Sequence, residues 1–287
     1  MVGKVIRGVS YNPLPPFWAG ATPAARDAAY DNTAAVADSA ALTAARNQAS
    51  AAFRASHAGR LDMPYGSGER QKWDLFPAAE AGAPCLVFIH GGYWQRNRRE
   101  DFCSLVQGAI ANGWSAALPG YSLAPDATLT QIVAEIHTAL DWLAANGARH
   151  GIAGKVVLSG WSAGGHLVGM AMDHPAVTAG LAISGIYELA PIRDTLLNEK
   201  LNLTEQELAT LSPMRLPPVR KPVAVAYGSA ELPELRRQSR DWHAQRALAH
   251  CPGPLIPVSG ADHFRVLEAL QAPRGELLRA AADLLRY

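Results

Sequence analysis

A short apolar run, Val156-Val-Leu158, enters the pentapeptide Gly160-Trp161-Ser162-Ala163-Gly164 and emerges as His166-Leu-Val-Gly-Met-Ala-Met172, which has helical composition. A strand passing directly into a helix through Gly-x-Ser-x-Gly is the context of a nucleophile elbow. The turn is so sharp that a Cβ at the flanking positions would collide with neighbouring backbone, which is why they are small. The serine Oγ then projects from the sheet edge, and the free N–H groups of the new helix converge on the same spot. This feature demands a sheet with a helix packed directly behind one of its strands.

The rest of the chain supplies that sheet. Six apolar runs follow one another at 85–89, 114–118, 156–158, 180–184, 223–227 and 255–258. Their hydrophobicity is continuous, as expected of strands covered on both faces. Helical stretches separate them, clearest at Thr130–Ala145, where Ile132, Ile136, Ala139, Leu140 and Leu143 keep helical spacing. Strands alternating with helices predict an α/β fold, a mostly parallel twisted sheet with right-handed crossovers and helices on both faces. Upstream, residues 61–76 read as a hairpin around Gly66-Ser67-Gly68. Residues 10–20 are too proline-rich for helix and read as an extended arm carrying Tyr11, Phe17 and Trp18; alanine-rich helices follow to about His57. No repeat or long linker interrupts the chain, so a single domain over 1–287 is expected, with arm and helices in 1–57 and the core in 61–287.

Composition narrows the partners. Lys and Arg number 26 against 25 Asp and Glu, a net charge of +1 that leaves no footprint for nucleic acid or an anionic membrane. Three dispersed cysteines without a CxxC point to a reduced, cytoplasmic setting. The first residues, Met1-Val-Gly-Lys4, carry charge where a signal peptide needs an apolar core, and no apolar run approaches the roughly 20 residues of a membrane helix. No HxxxH-type cluster occurs, and no metal or other cofactor is expected.

An elbow serine needs an acid and then a histidine later in the chain. Of nine histidines, His243, His250 and His263 lie beyond the candidate acids. His263 follows the run 255–258 on a loop, the position of a general base. Glu231 comes four residues after Tyr227 and is the expected acid, with Glu234 as its competitor; Asp262, adjoining the histidine, is expected to fix its own loop. The run 85–89 ends in His90-Gly91-Gly92-Tyr93-Trp94. A Gly-Gly pair after a strand lets backbone N–H groups face the serine, so Gly91, Gly92, Tyr93 and Ala163 are the expected oxyanion hole. His90 is expected to make a loop-fixing hydrogen bond rather than to act as a base.

These residues resemble a known family. His90-Gly-Gly-Tyr-Trp94 followed by an elbow serine is similar to the HGGxW signature of the kynurenine formamidases (arylformamidases) of the α/β-hydrolase superfamily, and the likeness runs from about Leu61 to Leu270. Met63-Pro-Tyr-Gly-Ser-Gly-Glu69, Ser184-Gly-Ile-Tyr-Glu-Leu-Ala-Pro-Ile192, the segment 228–239 and Asp262-His-Phe264 resemble its hairpin, post-strand, acid and histidine segments. The resemblance implies hydrolysis of a small N-acyl arylamine, with N-formyl-L-kynurenine as the type substrate. Two positions depart from it: Glu231 stands where the animal enzymes carry aspartate, and Trp161 where their elbow typically has histidine.

For the substrate pocket, Trp94, Trp161, Tyr11 and Trp18 are candidate walls around a flat ring, although core packing accounts for any one of them equally well. Arg96, Arg98 and Arg99 read either as a carboxylate-binding loop or as a solvated loop paired with Glu100 and Asp101. The expected partner is a small-molecule amide or ester, with no nucleic acid and no membrane; a homodimer is left open. A short-chain carboxylesterase and a catalytically dead hydrolase fold serving as a binding module are the alternatives.

Overall fold

The computed structural model describes residues 14, 15 and 17–287. Eight strands form one sheet in the order β1-β2-β4-β3-β5-β6-β7-β8. They are β1 (Arg60–Pro64), β2 (Lys72–Phe76), β3 (Cys85–Ile89), β4 (Ser115–Pro119), β5 (Val156–Trp161), β6 (Val177–Ile183), β7 (Val223–Gly228) and β8 (Leu255–Val258). The β1–β2 hairpin joins antiparallel at one edge, and β3 to β8 run parallel. The six apolar runs are six of these strands, with ends shifted by up to three residues. The largest extensions are β5, which continues to Trp161, and β6, which begins at Val177.

Side-chain alternation distributes the apolar runs over two cores. Cys85, Val87 and Ile89 of β3 enter one, and Leu86 and Phe88 enter the other. Five helices cover these faces: α1 (Ser39–Ser56), α2 (Leu129–Asn146), α3 (Ala163–Ala171), α4 (Pro233–Leu248) and α5 (Glu276–Leu284). α2 starts with a capping box in which Thr128 Oγ1 accepts from Gln131 N at 3.2 Å and Gln131 Oε1 accepts from Thr128 N at 2.8 Å. It buries Ile132, Ile136, Ala139, Leu140 and Leu143 beside Leu167 of α3 and Leu235 of α4. On the opposite face Phe53 of α1 packs with Phe76 and Phe102, in one cluster with Leu277 and Leu278 of α5.

Strand order reverses around β3, since the chain visits β4 on one side and then β5 on the other. The crevice beyond the carboxyl ends of β3 and β5 is therefore a topological switch point, where open α/β sheets bind ligands. His90-Gly91-Gly92 leaves β3 there, and Ser162 leaves β5 there.

The alanine-rich α1 has few apolar anchors, and a buried ion network fastens it. Asp74 of β2 is fully buried and accepts from Arg54 Nε of α1 at 2.8 Å and Nη2 at 3.0 Å, from Arg99 Nε at 3.2 Å and from the Asp62 backbone N–H at 3.0 Å. Arg99 also pairs with Asp62. Burial alone would raise the Asp74 pKa, but the guanidinium and N–H donors outweigh it and hold the carboxyl below the usual carboxylate value. Two guanidinium groups thus share one buried acid. Asp74→Asn is expected to destabilise the protein by about 3 to 5 kcal/mol, the range for breaking a buried pair. The sign with pH follows from the lowered folded pKa: the stabilisation is full above the unfolded carboxyl value near 4 and fades as pH falls through the folded one. Urea unfolding of both proteins at neutral and acid pH reads this out, and a neutral-pH loss under about 1 kcal/mol would reduce the network to the worth of a surface pair.

Candidate active site

Ser162 occupies the turn between β5 and α3 with φ of 59° and ψ of −119°, a conformation costly for a residue with a Cβ. Its backbone N–H donates to Ile183 O at 2.8 Å, and its carbonyl accepts from His166 N at 3.1 Å, so the turn is held on both sides. The glycines around it are required by contact. A Cβ on Gly164 would stand 2.1 Å from Ile89 O, and one on Gly160 2.3 Å from Gly164 O. On the facing loop, a Cβ on Gly91 would stand 2.6 Å from Trp161 O and 2.9 Å from Ser162 Cβ. The end of β3 and the elbow therefore touch backbone to backbone.

The loop after β3 is wound tightly: Gly92, Tyr93, Trp94 and Asn97 all have positive φ, at 121°, 51°, 57° and 74°. Gln95 and Arg96 N–H groups close on Gly92 O at 3.0 and 3.2 Å, and Asn97 Nδ2 donates to Gly91 O at 3.0 Å. Three non-glycine residues in left-handed backbone make this the most strained segment near the serine. Among the described residues the N–H groups of Gly92, Tyr93 and Ala163 donate to no carbonyl in these loop and cap contacts. The Tyr93 hydroxyl donates to Tyr30 O at 2.6 Å and accepts from Asn32 Nδ2 at 3.0 Å, tying the loop to the N-terminal helices.

His263 lies on the loop after β8, and its Nδ1 stands 3.6 Å from Glu231 Oε2. That distance exceeds a formed hydrogen bond. Yet neither atom has another hydrogen-bond partner, so among the described residues each is the other's natural one. Contacts of this kind are often long in unliganded sites and tighten when charge develops. The second Glu231 oxygen accepts from Ser184 Oγ at 2.5 Å and from Gly228 N at 2.9 Å, which fixes the carboxylate. Ser184, at the end of β6 with φ of 51°, is a supporting residue that sequence reasoning missed; its only signal is a hydroxyl directly after a strand end.

The competing candidates are engaged elsewhere. Glu234 pairs with Arg237 at 2.9 Å and accepts from Tyr30 Oη at 3.4 Å. Asp262 accepts from the N–H groups of Phe264 and Arg265, both at 2.9 Å, and so braces its own loop. His243 Nε2 meets Gly253 O at 3.2 Å, and His250 lies just past the end of α4. His90 Nδ1 bonds Gly91 O at 2.9 Å and stacks on Tyr121, with burial pulling its pKa down to about 3. It is therefore neutral at ordinary pH and fixes the loop. Among the described residues, no group of three or more His, Cys, Asp or Glu could hold a metal ion.

Ser162 and His263 open into one cavity of about 480 Å³ with Gly92, Tyr93, Trp161 and Phe264. Its far wall comes from Asn32, Thr33, Ser39, Thr43, Arg46 and Asn47 of the N-terminal helices. Trp161 is a wall residue and also packs: its ring lies 4.7 Å from that of His263, and its Nε1 donates to His263 O at 2.9 Å. The structure puts two other expected walls elsewhere. Trp94 is fully buried in the core, edge-on to His166, and Trp18 is buried with Nε1 bonded to Asp194 Oδ2 at 2.9 Å; neither lines the cavity. Core packing claims both rings, leaving polar helix residues at the opening. Tyr11 lies outside the described residues. The arginines of the loop divide: Arg98 pairs with Asp101 and Arg99 with Asp74, Asp62 and Glu100, whereas Arg96 lines the cavity.

Comparison with known proteins agrees with this fold. A family profile described as BD-FAE matches residues 74–178, from β2 through β5 and α3. The kynurenine formamidase of Salmo salar is 30% identical over 229 residues, 73% of this chain and 76% of the salmon protein. A crystal structure of a candidate thioesterase from Silicibacter superposes with a TM-score of 0.80 at 30% identity, covering 89% of this chain and 98% of that one. Esterase LipW of Mycobacterium marinum, 18% identical over 88% of this chain and 92% of its own, shares the fold with a TM-score of 0.71. With a Gly-x-Ser-x-Gly elbow facing a His-Gly-Gly loop across the switch point of a mostly parallel sheet, and with that identity over most of its length, the chain belongs to the kynurenine formamidase family of α/β-hydrolases.

Proposed function

We propose that this hydrolase removes a small acyl group, formyl above all, from an arylamine such as N-formyl-L-kynurenine, through an acyl-enzyme on Ser162. The observation that carries the reading is the pairing of the strained Ser162 turn and His263 in one cavity, with Glu231 as the natural partner of the far imidazole nitrogen. Ser162 Oγ attacks the acyl carbonyl while His263 takes its proton. The oxyanion is received by N–H groups from Gly91, Gly92, Tyr93 and Ala163, the kind of fixed donors that stabilise charge as it develops. The imidazolium, steadied by Glu231, then protonates the departing aniline nitrogen. Water, activated by the same histidine, releases the acid and restores Ser162. No step requires a cofactor. A cavity of about 480 Å³ suits a single-ring substrate. The same machinery would hydrolyse short-chain esters, and Trp161 in the cavity wall is the departure that favours that second reading.

The deciding measurement is kcat/KM for N-formyl-L-kynurenine against p-nitrophenyl acetate, with Ser162→Ala as the blank. Preference for the formamide, abolished in Ser162→Ala together with fluorophosphonate labelling, is expected, and the melting temperature should hardly move because the hydroxyl supports little packing. Ester turnover with negligible formamide cleavage would transfer the protein to the carboxylesterase reading, and no labelling at all would favour a binding module.

The acid is separable by substitution. Glu231→Gln is expected to lower kcat by on the order of 10³ to 10⁴, as when a triad acid loses its charge. Glu234→Gln should act on stability, through Arg237 and Tyr30, with a far smaller effect on rate; the reverse order would exchange the two roles. Gly91→Ala should cost on the order of 10² in kcat, the effect of displacing an oxyanion donor, because its methyl would drive the loop off the serine.

A further inference from the structure

The cavity presents two cations and no acid. Its described walls contain Arg46 and Arg96, and no aspartate or glutamate. Most other inward-facing arginines are matched: Arg54 and Arg99 to Asp74, Arg215 to Glu188, Arg237 to Glu234. Arg96 is exposed, forms no ion pair among the described residues, and stands with its guanidinium 6.0 Å from the Tyr93 ring centroid. Arg46 of α1 is half-buried and held entirely by neutral groups. Its Nε donates to Asp101 O at 3.1 Å and Asn47 Oδ1 at 3.2 Å, its Nη2 to Asn47 Oδ1 at 2.8 Å, and its guanidinium lies 3.9 Å over the Phe102 ring. The Asp101 carboxylate, whose field reaches Arg46, is engaged by Arg98 through the backbone N–H and Nη2, both at 3.2 Å.

A half-buried guanidinium with no direct ion pair, and only the field of an already engaged carboxylate, is expensive to hold in a fold unless something charged arrives to meet it. Here it opens on the same cavity as Ser162 and His263, with a second unpaired guanidinium on the loop that carries the oxyanion donors. We propose that Arg46 and Arg96 form an anion-binding subsite, making them specificity-determining residues for substrates that carry a carboxylate. The inference rests on the amidase reading in one respect: if the acyl group is as small as formyl, the carboxylate must ride on the leaving arylamine. The preferred substrate class is then a net-anionic N-acyl arylamine. An ammonium group finds no counter-acid on these walls, so a zwitterionic amino-acid side arm gains less than a carboxylate alone.

The test compares the ortho, meta and para N-formylaminobenzoates with the matching N-formylaminobenzamides, which keep the shape and remove the charge, and with N-formyl-L-kynurenine. At least one benzoate is expected to exceed its carboxamide in kcat/KM by about tenfold or more, the scale of a charge-assisted contact, chiefly through KM. It should also exceed N-formyl-L-kynurenine. Arg96→Gln and Arg46→Gln should each drive the benzoate-to-carboxamide ratio towards one, and Arg96→Lys should recover part of it. Arg46→Gln removes the stack on Phe102 and could unfold the wall; Arg96, exposed and unpaired, keeps the test decisive. A wild-type ratio near one, or a ratio indifferent to Arg96→Gln, would overturn the subsite. N-formyl-L-kynurenine exceeding every benzoate would overturn the preference for a net-anionic substrate. If no formamide is cleaved while p-nitrophenyl acetate is, the amidase reading has failed by itself. Acetoxybenzoates against acetoxybenzamides then put the same question to the two arginines with no amide involved.

Discussion

Two backbones meet almost without side chains between them, the end of β3 at Ile89–Gly92 and the turn Gly160–Gly164, and the rest of the site depends on that contact. Gly164 lies against Ile89 O and Gly91 against Ser162, with no room for a Cβ at either position. The consequence is geometric: Ser162, held at positive φ, shares its cavity wall with a loop whose own residues Tyr93 and Trp94 are left-handed. Strain of this kind survives only where surrounding structure over-determines it. Here the restraints are the Ile183 carbonyl on one side, and on the other the Asn97 and Tyr121 contacts that pin Gly91 and His90.

The site is completed by elements distant in sequence. The Tyr93 hydroxyl binds Tyr30 and Asn32, so the oxyanion loop candidate is braced by the N-terminal helices that also wall the cavity. Those helices are poor in apolar residues, and α1 is retained by Arg54 on buried Asp74, by Ser50 bonded to Ser104 and Asp101, and by Phe53 against Phe76. Core stability and site shape are thus coupled: loosening α1 would open the wall that carries Arg46 and Asn47 without touching Ser162. The candidate acid is braced in the same manner, with Ser184 just past β6 and Gly228 of β7 fixing one oxygen of Glu231 and leaving the other towards His263.

Ring partners sort the histidines, since His263 is buried as well. His90 and His166 are fully buried, with pKa values pulled down to about 3 and about 4, and each spends a ring nitrogen on a backbone carbonyl. They remain neutral packing groups at ordinary pH, although both lie within a few residues of the elbow or the His-Gly-Gly loop. His263 faces the cavity and an acid instead, the environment a general base needs.

The sequence by itself determined the sheet and named the candidate machinery, because both are written in short-range chemistry. Continuous apolar runs mark strands covered on two faces. Gly-x-Ser-x-Gly and His-Gly-Gly state steric demands on neighbouring backbone, and chain order together with a loop position after the last apolar run favours His263. Local pattern could not state what fills a space. Trp94 and Trp18 read as pocket walls because an aromatic residue carries no local sign of whether it faces a core or a ligand; the apolar volume beneath the loop took Trp94, and Asp194, 176 residues away, took Trp18. What favours Glu231 over Glu234 as the candidate acid is likewise tertiary: Arg237 and Tyr30 occupy one carboxylate, and Ser184 orients the other. The polar cavity wall of residues 32–47, with Arg46 in no ion pair among the described residues, comes from an alanine-rich stretch whose periodicity says only that it is helical. Which of its faces meets the serine is held by contacts outside that stretch, among them buried Asp74, 20 residues past Arg54, which holds Arg54 down onto the sheet.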